Sequence, residues 1–231
     1  MRFAVFISGY GSNLQAIIDA VQVGHINAEL AVVVSNKKSA FGLQRAEKAG
    51  IKTIVFDPKD YTNKQSVDRD IAAYLRNENI DFIVLAGYMR LLTEFFVKSF
   101  PNKIINIHPS LLPSFKGIQG IKDAFTYGAK VTGATVHFVN EKMDNGPIIL
   151  QDSVKIAEDD TVETLAEKVH KIEHRILPKA VELFVDGRLR VKGRKVYILE
   201  KVAQPHDQKA TPQLSLPGLH PQTPSVEGEG G

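Results

Sequence analysis

Five short runs of apolar residues recur along the first half of the chain, and the segments between them carry apolar residues at helical spacing. The runs are FAVFIS (3–8), ELAVVVS (29–35), KTIVF (52–56), DFIVLAG (81–87) and KIINIH (103–108). Intervening segments such as NLQAIIDAVQVG and SVDRDIAAYLRNEN have the periodicity of amphipathic helices. Strands that alternate with helices predict βαβ units and a parallel sheet, and strands that are apolar on both sides indicate helices on both faces.

The pattern changes after residue 108. KVTGATVHFV (130–139) and PIILQDSVKI (147–156) predict two strands joined by NEKMDNG, and therefore an antiparallel pair. RLRV and KVYIL predict a terminal hairpin that turns through KGR at 192–194. The predicted fold class is α/β, with an open Rossmann-like sheet that is mostly parallel, an antiparallel C-terminal part, and helices on both faces.

One long helix is expected between the second strand pair and the hairpin. Asp160 or Thr161 is its expected N-cap and Glu163 lies in its first turn, where a negative charge is favourable. The helix should run to about Phe184, and Pro178 is a candidate for a kink within it.

The composition changes sharply from about Lys201. Residues 201–231 contain five of the eleven prolines and no aromatic residue. Such a segment buries too little apolar surface to offset the entropy lost on ordering. We therefore expect one domain over residues 1–200 and a disordered tail over 201–231.

Composition and charge narrow the class of protein. The 231 residues are 43% hydrophobic and 24% charged, which is ordinary for a globular protein, and the net charge of +3 does not by itself argue for nucleic acid. The absence of cysteine excludes disulfides and thiolate metal sites. MRFAVFISGYG does not resemble a signal peptide, and no apolar stretch approaches the roughly 20 residues of a membrane span. A cytoplasmic protein is the expectation.

The segment SGYGSN (8–13) follows the first strand and contains two-thirds of the G-x-G-x-x-G dinucleotide fingerprint. Leu14 replaces the third glycine, and the second strand ends in SNKK without the acidic residue that binds ribose hydroxyls. What remains is a tight turn with Ser12 and Asn13 at a helix start, which favours a single phosphate. The alternative is a structural turn in which Ser12 or Asn13 is the N-cap.

A second polar group lies at the end of the fifth strand. Asn106 and His108 are two residues apart, so they point to the same side of the sheet at its carboxyl edge, where open parallel sheets bind ligands. Asp144 lies in the loop EKMDNGP. A solvated loop carboxylate is the ordinary interpretation, but a fold that brings Asp144 to His108 would let it orient the imidazole.

HKIEH at 170–174 matches the H-x-x-E-H pattern of some zinc peptidases. The pattern specifies three positions in five, and no third protein ligand for zinc is evident. Glu173 is as well suited to accept hydrogen bonds from sugar hydroxyls, so no metal is predicted.

Several motifs, in order and in register, resemble one known family. ISGYGSNLQAII, VLAGYMRLL, NIHPSLLPSFKG, TGATVHFVNEKMDNGPII and HKIEHRILP are similar to the phosphoribosylglycinamide formyltransferases of purine biosynthesis, over about residues 1–200. The resemblance implies transfer of a formyl group from 10-formyltetrahydrofolate, a co-substrate, to the amine of glycinamide ribonucleotide. It implies that the N-terminal half of the domain binds the ribonucleotide phosphate and that the C-terminal half completes the folate site.

The resemblance also implies residue roles. The implied catalytic set is Asn106, His108 and Asp144, and the ribonucleotide is held by Gly11, Ser12, Asn13, His170 and Glu173. The implied folate contacts are Lys64, Met89, Arg90, Leu91, Leu92, Asn106, Asn140, Glu141, Lys142, Met143 and Asp144. Lys64 stands where relatives often have Arg, and His170 where others carry Gln or Lys. The Leu112-Pro113 bond is implied to be cis.

Four alternatives stay open. Methionyl-tRNA formyltransferases carry a folded C-terminal domain that the tail does not resemble, and formyltetrahydrofolate hydrolases usually carry an N-terminal regulatory domain. A non-catalytic nucleotide-binding regulator would not need the intact catalytic set, and a zinc peptidase is the weakest alternative. The expected partners are the two small-molecule substrates, without nucleic acid or membrane, and a homodimer is left open.

Overall fold

A nine-stranded sheet runs through residues 1–200, the part of the chain that the computed structural model describes. The strands are β1 (Arg2–Ile7), β2 (Glu29–Ser35), β3 (Lys52–Val55), β4 (Phe82–Leu85), β5 (Ile104–His108), β6 (Val131–Phe138), β7 (Ile148–Lys155), β8 (Leu189–Lys192) and β9 (Lys195–Ile198). Their spatial order is β3-β2-β1-β4-β5-β6-β7-β9-β8. The tail predicted for 201–231 lies outside the described residues.

The direction of the strands confirms the predicted fold class. The five strands β1 to β5 pair in parallel. The pairs β5–β6, β6–β7 and β8–β9 are antiparallel, and β9 meets β7 in parallel through Ile148 and Lys195. The antiparallel pairs β6–β7 and β8–β9 follow one another through short connections, whereas β5 and β6 are antiparallel although residues 109–130 separate them.

Within residues 1–200, six α-helices connect the strands. They are α1 (Ser12–Gln22), α2 (Phe41–Lys48), α3 (Lys64–Asn77), α4 (Glu94–Ser99), α5 (Gly120–Tyr127) and α6 (Val162–Val185), with a 3₁₀ turn at Pro58–Asp60. Thr161 is the N-cap of α6 and accepts a hydrogen bond from the Thr164 amide, so the second of the two expected caps is confirmed. The helix continues through Pro178. No helix in residues 1–200 is long and apolar enough to span a bilayer.

The helices cover both faces of the sheet, as predicted. Alternate residues of β1 enter two separate apolar clusters: Phe3 and Val5 pack on the side of α1 and α6, and Ala4 and Phe6 pack on the side of α3 and α4. Because both faces are buried, the parallel strands read as continuous apolar runs rather than as an alternation.

The strand order reverses between β1 and β4, and the loops after these strands meet there. The Ser8 amide donates to the Gly87 carbonyl oxygen at 3.1 Å, which joins the two loops. β5 ends beside them at His108. Such a switch point is where open α/β sheets bind ligands.

Candidate active site

Asn106 and His108 lie on β5 at this edge, and β6 adds a third polar residue. The antiparallel register places His137 directly opposite Asn106. The side-chain nitrogen Nδ2 of Asn106 is 3.1 Å from Nε2 of His137. The pairing of β5 with β6 therefore determines where the Asn106 amide points.

His108 is buried, and both of its ring nitrogens face oxygen atoms. Nε2 is 2.8 Å from the Phe115 carbonyl oxygen, to which it donates, and Nδ1 is 3.6 Å from a carboxylate oxygen of Asp144. The ring is thus held at one nitrogen by the loop after β5. Its other nitrogen faces the carboxylate.

Asp144 reaches the site from the loop between β6 and β7. Its backbone is left-handed, with φ 47°, and its carboxylate accepts a hydrogen bond from the Gly117 amide at 2.8 Å. The second carboxylate oxygen is 3.8 Å from Nε2 of His137. The structure therefore brings together Asn106, His108 and Asp144, which are separated by up to 38 positions in the chain.

His137 is a site residue that the sequence analysis did not single out. Its Nδ1 donates a hydrogen bond to the Phe138 carbonyl oxygen at 2.8 Å. In the neutral ring Nε2 carries no proton, so it accepts a hydrogen bond from the Asn106 amide. Burial lowers the pKa of His137, although the Asp144 carboxylate opposes this effect. No local pattern marks this histidine, and only the register of β5 with β6 reveals it.

A cavity of about 300 Å³ opens beside these four side chains. The loop after β4 and the loop that carries Asp144 form part of its wall. The residues predicted to contact folate all line this cavity except Lys64, namely Met89, Arg90, Leu91, Leu92, Asn106, Asn140, Glu141, Lys142, Met143 and Asp144. Lys64 is the exposed first residue of α3 and does not line this cavity. The Leu112-Pro113 bond is cis, as expected.

The glycine loop leads into α1 as predicted, but neither Ser12 nor Asn13 is its N-cap. Gly11 holds that position in the left-handed conformation, φ 76°, and provides no side chain to cap the helix. The first amide N–H groups of α1 are therefore left for an anion. A Cβ on Gly11 would lie 2.7 Å from the Cα of Gly42 on α2, so the turn needs glycine for space as well as for conformation.

Glu173 of α6 is buried against the start of α1. Its Oε2 accepts from Nδ2 of Asn13 at 3.2 Å and from Nδ1 of His170 at 2.8 Å. The bond to Glu173 raises the pKa of His170. The Oδ1 atom of Asn13 is buried and has no hydrogen-bond partner within residues 1–200, so a ligand hydroxyl could satisfy it.

The glutamate of the H-x-x-E-H segment takes part in hydrogen bonds of its own. Over the described range, no group of three or more His, Asp and Glu side chains is placed to hold a metal ion. Glu173 is instead engaged with Asn13 and His170.

A larger cavity of about 750 Å³ lies between α1 and α6. Of the predicted substrate residues it includes only Ser12. The smaller cavity is the candidate active site, because Asn106, His108 and Asp144 converge there.

Comparison with known proteins identifies the family of this chain. A family model described as formyl transferase matches residues 1–181. The chain is 45% identical over 197 residues to the phosphoribosylglycinamide formyltransferase of Haemophilus influenzae, covering 85% of this chain and 93% of that protein. It is 47% identical over 190 residues to the trifunctional purine biosynthetic protein adenosine-3 of Homo sapiens, covering 82% of this chain.

The chain spans between 14% and 20% of the length of such trifunctional relatives. Among solved structures, glycinamide ribonucleotide transformylase 1 from Symbiobacterium toebii superposes with a TM-score of 0.85 at 46% identity. That alignment covers 87% of this chain and 94% of the other.

Proposed function

The chain belongs to the formyl transferase family, and we propose that it transfers the formyl group of 10-formyltetrahydrofolate to the amine of N1-(5-phospho-D-ribosyl)glycinamide. The products are the N-formyl ribonucleotide and tetrahydrofolate, in de novo purine biosynthesis. The observation that carries this proposal is the convergence of Asn106, His108 and Asp144 beside a cavity next to a glycine-rich helix start.

Formyl transfer passes through a tetrahedral intermediate whose oxygen carries negative charge. One N–H of the Asn106 amide is directed to Nε2 of His137 at 3.1 Å, which leaves the other N–H for the formyl oxygen. A preorganised donor of this kind is typically worth about 2.7–4 kcal/mol in the transition state. When His108 gains a proton at Nδ1 during the reaction, its positive charge adds to the neutral donor of Asn106.

The reaction also moves protons. The ribonucleotide amine attacks the formyl carbon and loses a proton, and the bond from that carbon to the folate nitrogen breaks as the nitrogen gains one. His108 and Asp144, 3.6 Å apart, form the pair that accepts the first proton and supplies the second. No step requires a metal.

The two substrates are held at opposite ends of the site. The amides at the start of α1, from Gly11 to Asn13, bind the phosphate, and oxygens of Glu173 and Asn13 accept hydrogen bonds from the ribose hydroxyls. The cavity lined by Met89 to Leu92 and by the loop of residues 140–144 takes the folate. Binding both in register places the amine against the formyl carbon.

Several predictions about the whole protein belong to this proposal. Residues 1–200 act as one formyltransferase domain, in which the N-terminal half binds the phosphate and the C-terminal half completes the folate site. The partners are the two small molecules, and the protein is cytoplasmic. Sedimentation analysis of the purified chain would decide whether it also forms a homodimer.

Turnover of 10-formyltetrahydrofolate, measured with and without glycinamide ribonucleotide, tests the function directly. The proposal expects tetrahydrofolate to form only when the ribonucleotide is present. Turnover without the ribonucleotide would instead identify a hydrolase. No turnover from folded protein would favour a non-catalytic binding protein.

A further inference from the structure

The loop between β4 and α4, residues 86–93, presents its side chains in two directions. Met89 and Leu91 are each 63% exposed, and both line the cavity assigned to folate. The side chain of Arg90 between them is 8% exposed and points into the protein. An arginine guanidinium that is turned away from an open cavity requires a partner in the interior.

That partner is Asp68 of α3. Its fully buried carboxylate forms an ion pair with the Arg90 guanidinium. Its Oδ2 accepts a hydrogen bond from the Thr93 amide at 2.7 Å, so one carboxylate holds the loop at two positions. Nε of Arg90 donates to the Tyr88 hydroxyl at 3.2 Å and ties the guanidinium to the start of the loop.

A second buried contact holds the same loop near Met89. The Met89 amide donates to Oγ of Ser8 at 2.7 Å, and Ser8 donates to Asn36 at 2.6 Å. The loop is thus attached to Ser8, just after β1, through Gly87 and Met89, and to α3 through Arg90 and Thr93. Preorganisation of this kind lowers the entropy cost of binding a ligand against the loop.

We propose that Asp68 is a positioning residue for the folate site, and that it acts by holding Arg90 inside the protein. Arg90 then contributes its backbone to the cavity wall, while its charge is neutralised by Asp68 and is not presented to the folate. This inference rests on the proposed function, because it assigns the cavity to folate. It adds Asp68 and Tyr88 to the residues on which folate affinity depends.

The test compares the KM values of the two substrates in Asp68→Asn. The change leaves the Arg90 charge buried beside a neutral amide, so the loop should shift away from its binding geometry. We expect the KM for 10-formyltetrahydrofolate to rise about ten- to a hundredfold, because removing one partner of a buried ion pair leaves an uncompensated charge that only a movement of the loop can relieve. The KM for the ribonucleotide, held by α1 and α6, should stay within about twofold.

A purely structural role predicts a different result. It would lower the fraction of active enzyme, and therefore the apparent kcat, with both KM values unchanged. Equal rises in both KM values, or an unchanged folate KM, would overturn the proposal. In the double variant Asp68→Asn with Arg90→Gln, the folate KM should be no higher than in Asp68→Asn alone, because Asp68 acts through Arg90.

Tyr88→Phe keeps the test decisive if Asp68→Asn does not fold. It removes the hydroxyl that accepts from Arg90 and keeps the ring that packs edge-on against Phe6. A smaller rise in the folate KM, about two- to fivefold, is expected for one lost hydrogen bond. A folate KM equal to that of the wild type would then reject the proposal.

Calorimetric titration with tetrahydrofolate separates failure of this inference from failure of the proposed function. Absence of ribonucleotide-dependent turnover in the wild type would reject the function. Tetrahydrofolate affinity in Asp68→Asn would still report on the loop. Equal affinity in the wild type and the variant would reject the positioning role alone.

Discussion

The left-handed backbone of Asp144, with φ 47°, decides which substitution tests this residue cleanly. Asparagine tolerates that conformation, and its amide oxygen can still accept the 2.8 Å bond from the Gly117 amide. We expect the free energy of unfolding of Asp144→Asn to lie within about 0.5 kcal/mol of the wild-type value. Its kcat should fall at least about a hundredfold. Turnover at saturating substrate concentrations measures kcat, and urea unfolding measures the free energy of unfolding. A wild-type kcat would show that Asp144 takes no part in the reaction.

Asn106 is the second residue whose role can be isolated. Asn106→Ala removes the amide that His137 orients, so kcat should fall about a hundred- to a thousandfold, as for one lost oxyanion donor. Asn27→Ala is the matched control, because Asn27 is exposed and lies away from the site. Similar kcat losses in both variants would show that the effect is not specific to the oxyanion.

The hydrogen bond between His170 and Glu173 should make the free energy of unfolding depend on pH. The bond to Glu173 raises its pKa above the ordinary value of 6.5, so the bond stabilises the folded state fully below that value. This stabilisation is lost as the pH rises through the folded-state pKa. The His170 side chain is about half exposed, so the effect should stay under about 1 kcal/mol.

Urea unfolding of the wild type and of His170→Gln at several pH values measures this effect. The difference in the free energy of unfolding between them should shrink as the pH rises from about 6 to about 8, the range of histidine titration. A difference that stays constant over this range would show that the His170–Glu173 bond does not control it.

Among the secondary structure elements, the contact between α1 and α2 explains the incomplete dinucleotide fingerprint. Leu14, in place of the third glycine, is fully buried in the core. The close approach that glycine allows is made instead between Gly11 and Gly42 of α2. Asn36, which follows β2 where dinucleotide folds carry an acid, accepts from Ser8 and is not turned to a ribose.

This contact makes Gly42→Ala a test of the phosphate loop. The added Cβ would lie 2.6 Å from Cδ1 of Ile7 and 3.2 Å from the Cα of Gly11, so the turn must shift. Overpacking of this size costs about 1–3 kcal/mol, and the KM for the ribonucleotide should rise. Gly9→Ala is the control for stability, since a Cβ there meets nothing within 4 Å. Equal losses of unfolding free energy in the two variants would contradict the packing argument.

At the scale of the whole described domain, the proposed ribonucleotide site brings together residues from its first and last helices. Asn13 follows the first strand, and Glu173 lies on the last helix, 160 residues later. Each is held by the packing of α1 against α6 on one face of the sheet. A ligand that binds both residues should therefore stabilise the entire fold.

Thermodynamic linkage makes this stabilisation measurable. At a ribonucleotide concentration a hundred times its Kd, the wild type should gain about 2.7 kcal/mol in unfolding free energy. Glu173→Gln, which replaces the carboxylate acceptor, should gain clearly less at the same concentration. Chemical denaturation with and without the ribonucleotide gives both values, and an equal gain would show that Glu173 does not bind it.

Much of the secondary structure could be predicted, because apolar runs and helix-capping residues are visible in the local sequence. The parallel strands appear as apolar runs, and the Thr161 cap of α6 appears as a threonine before an amphipathic segment. His137, Gly42 and Asp68 could not be predicted, because each acts on a residue far away in the chain. Lys64, which the resemblance implies as a folate contact, is the exposed first residue of α3 and does not line the cavity of about 300 Å³, so its role stays a prediction.

The order of the strands and helices and the loop at the start of α1 could be derived from local sequence, because backbone propensity and hydrophobic periodicity are local properties. Which polar groups meet depends on the three-dimensional fold. The register of β5 with β6 places His137 on Asn106, and the loop after β6 brings Asp144 to His108. These contacts depend on strand pairing and loop conformation over long chain separations, which no local pattern encodes.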